Sequence, residues 1–219
     1  MKKVMSLVVA IIVWSVMMVS AFASTAGEAG VSADDALKKL TEGNKRFVTG
    51  KFAHLNIGAD RRAQLTKGQH PFAVVVSCSD SRVPPEIVFD QGLGDLFVIR
   101  TAGEDVDDVV VGSVEYAVEH LGANLVVVLG HQDCGAVKAT VAGGEAPGKI
   151  PAVVELIKPA VAQAKLQQGD LVDNAVKANI DDQVNILKTS PILAELMEKG
   201  KVKVVGAYYN LSAGTVSYR

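Results

Sequence analysis

Tryptophan is nearly absent from this chain, cysteine is scarce, and positive charge is not in surplus. The 219 residues include one Trp, two Cys and only 5% aromatics. Net charge is −2, from 22 Lys and Arg against 24 Asp and Glu. That balance excludes the basic footprint of a nucleic-acid or anionic-membrane binder. So few aromatics exclude a base-stacking surface. There is no Walker loop and no Gly-x-Ser-x-Gly elbow. Gly92-Leu93-Gly94 lacks the third glycine of a dinucleotide fingerprint and precedes a strand pattern instead of following one. No internal repeat or low-complexity stretch occurs. What remains is a chain with 49% hydrophobic residues, enough for one domain with a substantial core.

Residues 1–23 read as a secretory signal peptide. Met1-Lys2-Lys3 is a short basic start, residues 4–19 are almost wholly apolar, and Ala21-Phe22-Ala23 is a small-x-small cleavage site. The expected location is therefore periplasmic or secreted, with no stable membrane insertion once the leader is cut. Cleavage after Ala23 removes the lone Trp14 and two lysines, taking the net charge to −4. Residues 24–31 read as a linker, and residues 32–219 as the domain.

Ser32-Ala33-Asp34-Asp35 offers an N-cap and an acidic first turn, followed by Ala36, Leu37 and Leu40 at helical spacing. Gly43-Asn44 is expected to end or interrupt that helix. A second short helix covers residues 59–65, completing an N-terminal helical arm too short to form a core alone. From Phe72 the rhythm is strand, loop, helix. Strands are expected at 72–77, 96–100, 125–129 and 202–208, with a final edge strand at 215–218. Helices fall at 107–121, 135–141, 151–166, 171–189 and 191–199, plus a short one opened by Pro84-Pro85. Continuous Val-rich strands alternating with helices predict an α/β fold. Its sheet has four parallel strands and an antiparallel edge strand, with helices on both faces.

The two cysteines follow two of these strands. Cys78 opens Cys78-Ser79-Asp80-Ser81-Arg82 after Phe72-Ala73-Val74-Val75-Val76. Cys134 ends His131-Gln132-Asp133-Cys134 after Leu125-Val126-Val127-Val128-Leu129. Open α/β sheets present their chemistry at such strand ends. Together the loops offer two thiolates, an imidazole and a carboxylate, a tetrahedral donor set for zinc. In an exported protein the same cysteines also suit a disulfide or a redox pair, but neither needs Asp80 and His131 beside them. Four protein donors would make a closed structural site. Arg82 offers another outcome, because a bidentate pair with Asp80 competes with the metal and frees a corner for water. Asp133, between two ligand candidates, reads as a support for the following helix, and His54, His70 and His120 as surface or structural residues.

These motifs resemble the β-class carbonic anhydrases, in a plant-like bacterial branch. The likeness extends through Gly43-Asn44-x-Arg46-Phe47, Gly94-Asp95-Leu96-Phe97-Val98-x-Arg100, Ser113-x-Glu115-Tyr116-Ala117, Asn179 to Val184 and Gly206-Ala207-Tyr208-Tyr209. It covers roughly residue 33 to the end. It implies reversible hydration of carbon dioxide to bicarbonate and a proton by a zinc-bound hydroxide, gated by an Asp-Arg dyad. On this chain the family's zinc ligands fall on Cys78, His131 and Cys134, with Asp80 as the exchangeable fourth and one Zn2+ per chain. The dyad falls on Asp80 and Arg82, and the substrate-pocket positions on Gln69, Phe97, Tyr116 and Gly135. The expected assembly is a homodimer or homotetramer. Hydrolysis of carbonyl sulfide or carbon disulfide, and non-catalytic zinc binding, are the competing readings. Two departures stand out. No tryptophan follows the leader, where some bacterial members build an allosteric bicarbonate pocket with one. Thr101-Ala102-Gly103-Glu104 replaces a common Asn-x-Ala-Asn, so Glu104 is expected to affect the pocket mouth or its pH dependence.

Overall fold

The computed structural model describes residues 30–53 and 56–219. The leader, nearly all of the linker and His54 lie outside the described residues. Five strands form one sheet in the order β2-β1-β3-β4-β5. They are β1 (Ala73–Cys78), β2 (Leu96–Thr101), β3 (Leu125–His131), β4 (Lys203–Tyr209) and β5 (Val216–Tyr218). The first four run parallel and β5 pairs antiparallel to β4, as expected. The helices are α1 (Ala33–Thr49), α2 (Ala59–Leu65), α3 (Pro85–Val88), α4 (Asp108–His120), α5 (Gly135–Ala142), α6 (Ile150–Ala164), α7 (Leu171–Lys188) and α8 (Pro191–Glu198).

Every residue of β1 and β3 is buried, so these strands read as unbroken apolar runs. Alternate residues feed two cores. Val74, Val76, Val126 and Val128 pack with α4, α6, α7 and α8 through Val114, Ile157, Ile180 and Leu193. Ala73, Val75, Val127 and Leu129 pack on the other face with Ala36 and Leu40 of α1 and with Phe89. The outer strand β2 is only partly covered.

Two expectations are corrected. Strand β3 runs two residues further than the apolar pattern, because Gly130 and His131 still pair with Tyr208 and Tyr209. Helix α1 does not break at Gly43-Asn44 but continues to Thr49, where Gly50 takes a left-handed cap. Gly43 serves close approach: a β-carbon there would sit 1.7 Å from the Phe89 carbonyl oxygen. Asn44 ties the helix to its surroundings. Its Nδ2 donates to the Val88 and Gly214 carbonyls at 3.1 and 2.9 Å, and its Oδ1 accepts from the Val216 N–H at 2.9 Å.

Gly43→Ala is therefore expected to cost about 3 kcal/mol, the upper part of the overpacking range. Urea denaturation measures it; a change under about 0.5 kcal/mol, the size typical of surface substitutions, would contradict the packing described.

Candidate metal centre

Strands β1 and β3 are adjacent and parallel, with Val74 opposite Val126 and Ser77 opposite Leu129. Their carboxyl ends therefore deliver Cys78 and His131, the last residue of each strand, to one place. Asp133 then takes a left-handed conformation (φ 59°), tolerable for Asp, and turns the chain so that Cys134 caps α5. The donor atoms of Cys78, His131 and Cys134 all lie within 4.8 Å of one another, and all three residues are buried. The two Sγ atoms are 3.9 Å apart and both cysteines are free.

His131 Nδ1 lies 2.8 Å from the Gln132 carbonyl oxygen. A carbonyl only accepts, so Nδ1 carries the proton and Nε2 keeps a lone pair. That Nε2 is buried and has no hydrogen-bond partner among the described residues. An orphaned imidazole lone pair beside two sulfurs fits a zinc ion, which favours this donor set. The sulfurs are prepared as well. The hydrogen bond between the two sulfurs holds the Cys78 thiol below its ordinary value, against the opposing effect of burial. The same bond, with burial, pushes Cys134 up. A metal bound by this pair would take both sulfurs as thiolates and release their protons.

Asp80 approaches the cluster without joining it. Its Oδ2 is 3.9 Å from His131 Nε2. Arg82 holds it by two side-chain hydrogen bonds, Nε to Oδ1 at 2.9 Å and Nη2 to Oδ2 at 2.7 Å. The Arg82 N–H also donates to Oδ1 at 2.9 Å. These bonds keep the Asp80 carboxyl well below the usual carboxylate range. Arg100 fixes the loop, donating to the Cys78 and Asp80 carbonyls at 3.0 and 2.6 Å. Asp133 pairs with Lys138 of α5 at 2.8 Å, which suits a helix support and not a ligand.

Glu104 is not at a pocket mouth. It is fully buried, with a left-handed backbone (φ 49°), and its Oε1 accepts from Asn179 Nδ2 at 3.2 Å. Burial raises its pKa, reinforced by the nearby Cys78. Neighbouring Asp105 is also buried, and burial pushes it up to about 8. The N–H of Gly103, the residue before Glu104, donates to Cys78 Sγ at 3.3 Å, a contact that no local sequence pattern marks.

The remaining site candidates are dispersed. Gly135 opens α5 beside Cys134, exposed, with open space where a β-carbon would be. Gln69 is exposed in the loop before β1 and makes no hydrogen bond to the cluster among the described residues. Phe97 and Tyr116 meet each other, ring centroids 6.4 Å apart. Phe97 lies four residues up β2 from Thr101, the partner of Cys78. At the usual strand rise that is about 13 Å from the metal end. Within one chain this aromatic pair does not reach the cluster.

A family model described as carbonic anhydrase matches residues 73–216. A carbonic anhydrase of Mycolicibacterium smegmatis is 44% identical over 189 residues, covering 84% of this chain and 92% of that protein. The solved β-carbonic anhydrase CcaA aligns with TM-score 0.67 and 32% identity, over 83% of this chain and 94% of its own. One of two tetrameric β-carbonic anhydrases of Sordaria macrospora shares the fold at TM-score 0.67. It is 23% identical and covers 72% of this chain and 84% of that one. With the Cys78–His131–Cys134 cluster poised for zinc, these likenesses place the chain in the family of β-class carbonic anhydrases.

Proposed function

We propose that the Asp80–Arg82 pair gates a zinc-dependent reversible hydration of carbon dioxide to bicarbonate and a proton. One observation carries this reading. A carboxylate stands 3.9 Å from the orphaned His131 nitrogen, yet Arg82 turns it away with a bidentate pair. Cys78, His131 and Cys134 would give a zinc ion three donors, and a tetrahedral ion held so would have a position for solvent. Zinc bound there supplies Lewis acidity that makes water a nucleophile near neutral pH. The chain's residues do the rest. Cys78, Cys134 and His131 Nε2 hold the ion, and the Gln132 carbonyl fixes the imidazole tautomer. Asp80, kept ionised by Arg82, is a hydrogen-bond acceptor beside the open corner and orients the attacking water toward the carbon. If Arg82 lets go, Asp80 is the nearest carboxylate able to take that corner and close the site.

Gly135, next to Cys134 and facing open space, suits the mouth through which substrate enters. Phe97, Tyr116 and Gln69 belong to the same pocket only if a second copy supplies them. The half-covered β2 edge and the exposed Tyr116 and Val109 of α4 support such a homodimer or homotetramer. Export to the periplasm or medium, with the leader cut after Ala23, is part of the same proposal. No described helix is long and apolar enough to cross a membrane.

Four outcomes are expected. Purified protein carries about one zinc per chain, and stopped-flow mixing with carbon dioxide shows catalysed hydration. Arg82→Ala lowers that rate on the order of 100-fold with zinc retained; a zinc-bound protein inert before and after the change would mark a purely structural metal. Lowering the pH below about 7 reduces activity reversibly, with zinc content unchanged. Asp80 stays ionised throughout that range and becomes the better competitor as hydroxide grows scarce. Flat activity into mild acid would contradict the gate. Light scattering should give two or four chain masses, and a fully active monomer would remove the need for a partner's Phe97 and Tyr116.

A further inference from the structure

Behind the cluster lies a chain of side-chain amides whose orientation is fixed from one end. The Val106 N–H can only donate, and it donates to Gln183 Oε1 at 2.8 Å. Gln183 Nε2 must then face outward from that bond, and it donates to Asn179 Oδ1 at 3.1 Å. That leaves Asn179 Nδ2 facing the loop after β2. It donates to the Gly103 carbonyl at 2.8 Å and to Glu104 Oε1 at 3.2 Å. Asn179 and Gln183 are both fully buried, one turn apart on α7. The loop they grip is otherwise costly to hold, since Gly103 (φ 83°) and Glu104 (φ 49°) both adopt left-handed backbone. Its Gly103 N–H reaches Cys78 Sγ at 3.3 Å. The same helix also touches the second ligand strand. Ile180 packs so closely on β3 that a β-carbon on Gly130, next to His131, would lie 2.5 Å from it.

The geometry points to Asn179, oriented by Gln183, as a positioning residue of the metal centre: it holds the Gly103 N–H on the Cys78 sulfur. A hydrogen bond to a thiolate withdraws charge from the sulfur and fixes its direction, so outer contacts of this kind govern metal affinity and acidity. The inference rests on the Cys78–His131–Cys134 reading of the metal centre but not on the gate.

The test uses full-length protein loaded with zinc, and separately with cobalt(II) as a spectroscopic probe. Competition with a chromophoric chelator reads zinc affinity. The near-ultraviolet sulfur-to-cobalt charge-transfer band reads the sulfur environment. Asn179→Ala is expected to weaken zinc binding roughly tenfold or more and to shift the band. Gln183→Glu keeps the acceptor for Val106 but loses the donor that orients Asn179; it should change both readouts in the same direction, and it decides the matter if Asn179→Ala does not fold. Val176→Ala removes buried packing one turn earlier on α7. It should lower the melting temperature and leave affinity and band unchanged. Wild-type values in the amide variants would overturn the proposal, as would an equal shift in Val176→Ala. A wild type that binds cobalt normally but does not hydrate carbon dioxide would overturn the functional reading and leave this one standing.

Discussion

A slip of one residue between β1 and β3 would turn Cys78 toward the opposite face of the sheet, and the cluster would not form. The register holds because both strands are buried on both faces, so a slip would expose neither side to water but would misplace every valine in two cores. The metal centre is therefore a by-product of packing. Two Val-rich strands lock together, and the first residues able to do chemistry appear where the apolar runs stop.

Acidic groups crowd that point. Two thiols and Asp80 stand around a single imidazole, with Glu104 and Asp105 buried in the loop behind Cys78. Arg82 neutralises one of them, and the two sulfurs contact each other at 3.9 Å. A divalent ion would resolve this excess of donors and would take up the buried His131 Nε2 lone pair, which has no hydrogen-bond partner among the described residues. Asp80 stands at the edge of this cluster, held by Arg82 and 3.9 Å from His131 Nε2, which is why the proposed gate turns on it.

Much of this was legible in the sequence because strand burial and ligand chemistry both leave local marks. The runs Ala73–Val76 and Leu125–Leu129 announce a parallel sheet, and Cys78, His131 and Cys134 sit at their ends. Other features leave no local mark. Gly43 looks like a helix breaker until the Phe89 carbonyl is seen against it. Glu104 reads as a residue of the pocket mouth until it is seen fully buried against Asn179 of α7. Asn179 and Gln183 look like ordinary helical amides, and their role exists only through Gly103, about seventy-six residues away. Phe97 and Tyr116 find each other but stand well down β2 from the Cys78 end of the sheet, a placement their types do not announce.

The most direct test of the central claim is a crystal structure of the zinc-loaded protein at alkaline pH with anomalous data at the zinc edge. The account predicts a single peak bounded by Cys78 Sγ, Cys134 Sγ and His131 Nε2, with Asp80 still on Arg82. Absence of the peak, a Cys78–Cys134 disulfide, or the Asp80 carboxylate in the fourth position at that pH would contradict it.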